Sequence, residues 1–173
     1  MITKIKSDVW QFSFKNFGSH IYLIKLKDKN ILIDTSSPEN QRGLIEDLNK
    51  LGLKPKDIKT IIFTHNHPDH IGRILPFLQT TNFYGSKKDF GENMNDIKKL
   101  KIPELKIIET PGHSKGGICI LYENILFSGD TLFHRGTTGR TDLPGSSEKE
   151  MKNSINKLKE IKYKILAPGH GRE

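Results

Sequence analysis

Short apolar runs separated by turn residues set the rhythm of this chain. Residues 8–14 and 19–26 alternate apolar and polar positions in strand fashion, and Asn30-Ile31-Leu32-Ile33-Asp34 reads as a third short strand. Lys27-Asp28-Lys29-Asn30 between the last two is hairpin-like. A helix follows, because Ser36 and Glu39 have capping-box spacing, Pro38 suits a first turn and Gly52 closes the pattern. Its apolar face runs Leu44, Ile45, Leu48, Leu51. The pattern then repeats in a loose βα rhythm: strand 59–64, a helix from about Ile71 to Gln79, a strand at 82–84, a charged helical segment over 86–100, and strands at 105–109, 117–122 and 124–128. A second capped helix starts at Ser147, with Glu150 three residues on and Met151, Ile155, Leu158 and Ile161 on one face. Strand 163–167 ends the series. This alternation predicts the α/β class.

Composition narrows the picture. The 173 residues fit one domain, 1–173, with no linker-like stretch, and 34% hydrophobic and 28% charged residues are ordinary for a folded chain. The net charge of +8 comes almost wholly from lysines spread along the length, densest at Lys98, Lys99, Lys101 and Lys106. No basic stripe interleaved with aromatics and no helix-turn-helix or zinc-finger spacing accompanies them, so they read as a solvated surface and no nucleic-acid partner is expected. A single cysteine, Cys119, rules out an intramolecular disulfide framework and fits a reducing compartment. The first residues contain no apolar leader core and no run reaches transmembrane length, so the expectation is a soluble, cytoplasmic chain without a membrane partner.

The chemistry concentrates at residues 65–70, His-Asn-His-Pro-Asp-His, directly after the apolar run Thr60-Ile61-Ile62-Phe63-Thr64. Imidazole and carboxylate are natural ligands for divalent zinc, iron or manganese, and four of them on one loop exceed what a single four-coordinate site with an open position can use. Three further places share one local grammar, in which an apolar strand runs into a glycine or proline turn carrying a ligand-type residue: Pro111-Gly112-His113, Gly129-Asp130 and Pro168-Gly169-His170. Ligand sites in α/β sheets gather beyond the carboxyl ends of strands. His65, His67, Asp69, His70, His113, Asp130 and His170 make seven candidate ligands, a number that suits two divalent ions sharing a carboxylate.

The histidine loop, Thr-Pro-Gly-His (110–113), Ser-Gly-Asp-Thr-Leu-Phe (128–133) and Pro-Gly-His-Gly (168–171) resemble the metallo-β-lactamase superfamily, and Gly139-Arg140-Thr141-Asp142-Leu143-Pro144-Gly145 resembles its small glyoxalase II-like hydrolases. Tyr22-Leu23-Ile24 and Leu32-Ile33-Asp34 are similar to that superfamily's opening strands. The resemblance implies a four-layer αββα sandwich, two mixed β-sheets flanked by helices. It implies that His65, His67 and His113 hold one metal ion, that Asp69, His70 and His170 hold the other, and that Asp130 bridges them. Asp69 would also orient the attacking hydroxide, and Asp34 would steady the ligand loop. The implied cofactors are two divalent ions, zinc first, with iron or manganese as alternatives. The implied reaction is hydrolysis of a small acyl thioester, of the hydroxyacylglutathione kind, by a metal-bridging hydroxide. A mononuclear iron persulfide dioxygenase using His65, His113 and Asp130 is the runner-up, followed by lactonase and phosphodiesterase or nuclease activity.

The chain stops three residues after His170, short of the C-terminal helical region of full-length glyoxalase II, which leaves the thiol carrier open. Oligomeric state is left open as well. Cys119 lies in the apolar run 118–121 and reads as a buried small hydrophobe. His20 could line the pocket and His134 could contact substrate or donate a proton to a leaving group, although both read more readily as loop histidines. Arg135 and Arg140 could meet an anionic substrate group, although Arg140 could equally be locked to Asp142.

Overall fold

The computed structural model describes residues 1–72, 74–77 and 79–171. Two compact units comprise Met1–Phe63 with His67–Tyr84, and Thr64–Asn66 with Gly85–Glu173.

The first unit is built on a mixed sheet of β1 (Ile2–Lys6), β2 (Val9–Phe12), β3 (Ile21–Leu26), β4 (Lys29–Ile33), β5 (Ile58–Ile62) and β6 (Asn82–Gly85), side by side in chain order. The first four strands are antiparallel neighbours, and β4, β5 and β6 run parallel. The β3–β4 hairpin turns at Lys27 and Asp28, with Leu26 opposite Lys29. Ile31, Leu32, Ile33, Ile61 and Ile62 are all at most 1% exposed, because strands covered on both faces cannot alternate. β1 escapes the hydrophobic pattern: Ile2-Thr3-Lys4-Ile5-Lys6, with only two apolar residues, forms a mostly half-buried edge strand, and Lys4 with Lys25 flanks the Trp10 ring at 5.6 and 5.5 Å.

The first helix differs from expectation at its start. Pro38–Asn40 form a 3₁₀ turn, and α1 proper spans Gln41–Lys50 with Leu44 and Leu48 buried. Ser36 and Ser37 do not cap it. Ser37 Oγ instead donates to the carbonyl of Phe17, and Asn40 Nδ2 donates to Ser36 Oγ and Phe17 O, so these side chains hold a neighbouring loop. The helix expected over 71–79 is also replaced. Helix α2 is a single turn, Pro68–Ile71, followed by a 3₁₀ turn at Leu75–Phe77, with Arg73 and Leu78 outside the described residues. Ile71 pairs with Ser36 in a parallel bridge and Gly72 N–H donates to Ser36 O at 2.7 Å. Backbone groups engaged there cannot continue a helix.

The second unit carries a mixed four-stranded sheet of β8 (Leu105–Glu109), β9 (Ile118–Tyr122), β10 (Ile125–Gly129) and β11 (Ile165–Pro168), in the order β11-β10-β9-β8. β10 pairs antiparallel with β9 and parallel with β11. Helix α4 (Glu148–Lys159) is capped as predicted, with Ser147 Oγ accepting the N–H of Glu150. Its Leu158 joins Ile108, Cys119 and Leu126 in one core cluster. The segment 86–100 is not one helix: α3 (Lys87–Phe90) ends at Gly91, and the two-residue strand β7 (Asn95–Asp96) and a 3₁₀ turn at Ile97–Lys99 follow.

Candidate metal centre

Each segment that carries ligand-type residues begins just past the carboxyl end of a strand, with His67, Asp69 and His70 leading into and through α2. His65 follows β5, His113 follows β8, Asp130 follows β10 at once, and His170 follows β11. The hexapeptide His65–His70 is divided, since Thr64–Asn66 belong to the second unit and His67 onward to the first.

The second unit brings His65, His113, Asp130 and His170 together. The rings of His65 and His113 meet edge to face with centroids 4.9 Å apart. Asp130 Oδ2 stands 3.5 Å from His113 Nε2 and 3.6 Å from His170 Nε2. His65 is 3%, His113 7% and Asp130 9% exposed, so these polar groups are withdrawn from bulk water. A small, partly open pocket is lined by Thr64, His65, His113, Ser114, Asp130 and Thr131 among others. The hydroxyls of Thr110 and Thr131, 3.0 Å apart, join the turns that carry His113 and Asp130.

The tautomer of His113 follows from its partner. Its Nδ1 lies 2.8 Å from the backbone carbonyl of Arg140, which can only accept, so Nδ1 carries the proton and Nε2 keeps its lone pair. Gly139 makes that approach possible: a Cβ there would stand 2.3 Å from the carbonyl oxygen of Asp130 and 2.8 Å from His113 Nδ1. His65 Nδ1 lies 3.0 Å from Thr64 Oγ1.

The first unit holds His67, Asp69, His70 and Asp34. His70 is fully buried, and its Nδ1 lies 2.7 Å from Asp34 Oδ2, while its Nε2 is 4.0 Å from Asp69 Oδ2. The backbone carbonyl of His70 accepts from Thr35 N–H at 2.8 Å, and that of Asp69 accepts from Ser19 N–H at 2.9 Å. His67 precedes α2 in extended conformation, and its carbonyl accepts the N–H of His70.

The donor set fits a divalent ion. Two ligands about 2.1 Å from one tetrahedral ion stand about 3.4 Å apart, close to the separations around Asp130. Imidazoles that hold Nδ1–H against a carbonyl or carboxylate, leaving Nε2 as donor, are the usual metal-binding form.

The remaining candidates behave otherwise. Cys119 is fully buried, with Sγ 3.3 Å from Thr110 Oγ1, and burial pushes its thiol up to about 11, so it is no nucleophile at neutral pH. Arg140 is locked to Asp142 through two hydrogen bonds of 2.9 and 2.8 Å; this pairing raises the guanidinium and lowers the carboxyl. Arg135 is exposed and adopts φ 65° in the turn His134–Gly136. His20 is half-buried, with Nδ1 3.0 Å from Ser13 Oγ. Thr64 and the carbonyl of Arg140, which contact the rings of His65 and His113, belong to no ligand motif. A backbone acceptor carries no residue signature, and only the adjacent Gly139 hints at close approach.

A family model of the metallo-beta-lactamase superfamily matches residues 15–87 and 82–170. Two probable metallo-hydrolases of Methanocaldococcus jannaschii are similar, one 35% identical over 81% of this chain and 70% of its own length, the other 36% identical over 90% and 88%. A hydroxyacylglutathione hydrolase of Methylobacillus flagellatus is 29% identical over 68% of this chain and 49% of its own. The fold is similar to that of TTHA1623 crystallised in a di-iron-bound form (TM-score 0.79, 23% identical, 94% of this chain and 92% of that one). It is also similar to that of ETHE1 from Myxococcus xanthus (TM-score 0.77, 23% identical, 94% and 75%). No helix among the described residues is long and apolar enough to cross a membrane. With two mixed sheets, helices, buried His and Asp groups and a family match along most of its length, this chain belongs to the metallo-β-lactamase superfamily.

Proposed function

We propose that this protein hydrolyses a small acyl thioester, of the hydroxyacylglutathione kind, with two divalent metal ions. His65, His67 and His113 would hold one ion and Asp69, His70 and His170 the other, with Asp130 shared between them. The observation that carries this reading is the placement of Asp130 Oδ2 between His113 Nε2 and His170 Nε2, at 3.5 and 3.6 Å. A carboxylate oxygen flanked by two imidazole nitrogens at that spacing suits a bridging ligand.

When bound, such ions polarise a carbonyl and lower the pKa of bound water toward neutrality. The chain's own groups supply the rest. Arg140 O and Asp34 hold the Nδ1 protons of His113 and His70, which orients both rings and keeps Nε2 basic. Asp69, partly exposed, would help orient the attacking hydroxide. No protein nucleophile is required, in keeping with the buried, high-pKa thiol of Cys119. The relative named as a hydroxyacylglutathione hydrolase supports the thioester class.

The test is metal quantification on protein purified without added metal, coupled to a screen of thioesters and lactones. Two ions per chain and thioester turnover are expected, with Asp130→Ala losing metal and at least about 100-fold in kcat/KM. One iron per chain with persulfide-dependent oxygen uptake would overturn the hydrolase reading, and an unchanged Asp130→Ala enzyme would overturn the site.

A further inference from the structure

Asp89 belongs to none of the ligand motifs, yet three hydrogen-bond donors converge on its side chain. Ser114 Oγ donates to Oδ2 at 2.7 Å, Gly116 N–H to Oδ1 at 2.6 Å, and Asn66 N–H to Oδ2 at 3.3 Å. Asn66 Nδ2 returns a bond to the Asp89 carbonyl at 3.0 Å. Asn66 follows His65 and Ser114 follows His113, so one carboxylate joins the two segments that carry these histidines. The contact is close enough to restrict the facing residue: a Cβ on Gly116 would stand 2.8 Å from the Asp89 carboxyl carbon. The chemistry also restricts Asp89 itself. An ionised carboxylate only accepts, and it strengthens each bond through its charge; an amide would turn NH₂ toward one of the three donors.

We propose that Asp89 is the positioning residue of the His65–His113 pair, setting the separation at which the two imidazoles receive one metal ion. This rests on the metal-dependent reading above. Asp89 touches neither substrate nor metal; it acts through the loops that present His65 and His113. Supporting groups of this kind change metal affinity by about 10–100-fold when removed.

The experiment is cobalt(II) titration of the full chain, wild type beside Asp89→Asn, Ser114→Ala and His113→Ala, followed by visible absorption and by thermal melting of the metal-free proteins. Asp89→Asn is expected to bind cobalt about 10–100-fold more weakly and with an altered ligand-field band, while its metal-free melting stays near wild type. Ser114→Ala, which removes one donor and keeps the carboxylate, is expected to show the same band shift with a smaller loss, and it carries the test should Asp89→Asn fold poorly. A band identical to wild type in both variants, beside loss of binding in His113→Ala, overturns the positioning role and leaves the metal site standing. Weakened binding with an unchanged band and a lowered metal-free melting temperature marks a merely structural role and also overturns it. Equal cobalt binding by wild type and His113→Ala removes the metal reading, and the positioning role with it.

Discussion

Asp34 follows β4 with φ 59°, a backbone conformation that costs most side chains energy but that aspartate tolerates better than most. It is 2% exposed and aims its carboxylate at Nδ1 of the fully buried His70, 2.7 Å away. Removing the carboxylate leaves the buried Nδ1–H of His70 without its acceptor, which costs about 1–3 kcal/mol. Asp34→Ala is therefore expected to lower folding stability by about that amount, measured by chemical denaturation, and to weaken metal retention about 10–100-fold. Asp34→Asn keeps a carbonyl acceptor and the tolerance of positive φ, so it should fall between wild type and Asp34→Ala in both measurements. Sequence similarity alone puts Asp34 in a supporting role. The strained backbone and the full burial of its partner come from the fold.

At the level of elements, the strands that present ligands were legible because each couples a period-two or continuous apolar run to a glycine or proline turn. β8, β9 and β10 fall within one residue of their predicted bounds at every end. Elements without such punctuation were not legible. The helical pattern over 71–79 yields to backbone bonds made by Ser36, and the charged segment 86–100 breaks into α3, β7 and a 3₁₀ turn, leaving Asp89 facing the ligand loops. α4 shows the opposite case, in which a local signal suffices. Its cap, Ser147 to Glu150, satisfies a helix-end donor and is worth about 1 kcal/mol. Ser147→Ala should reduce stability by about that much, read as a shift in denaturation midpoint at unchanged slope. A loss below a few tenths of a kcal/mol would show that Gly112, whose carbonyl accepts the Ser147 N–H, anchors the helix start instead.

For the molecule as a whole, ligand binding and stability are linked, because an ion bound only by the folded chain stabilises it by mass action. Dialysis against chelator is expected to lower the melting temperature by about 5–10 °C, the shift for an ion present at roughly 100 times its Kd, and divalent metal should restore it. An unchanged melting curve after verified metal removal would contradict this linkage. The excess positive charge is partly answered on the surface: Lys98 and Lys88 lie 3.1 and 3.7 Å from the Glu109 carboxylate, and the closer Lys98 holds that carboxyl below its ordinary range. The sequence by itself determined the α/β class, the family and the seven ligand-type residues, since strand periodicity, glycine turns and the histidine loop are local patterns. Tertiary structure alone decided how these ligand-type side chains are held. The acceptor for His113 comes from 27 residues away, that for His70 from 36, and the carboxylate that receives Ser114 from 25. Tautomer, ring orientation and loop spacing depend on those distant partners, and folding sets them through hydrogen bonds that no contiguous stretch of sequence encodes.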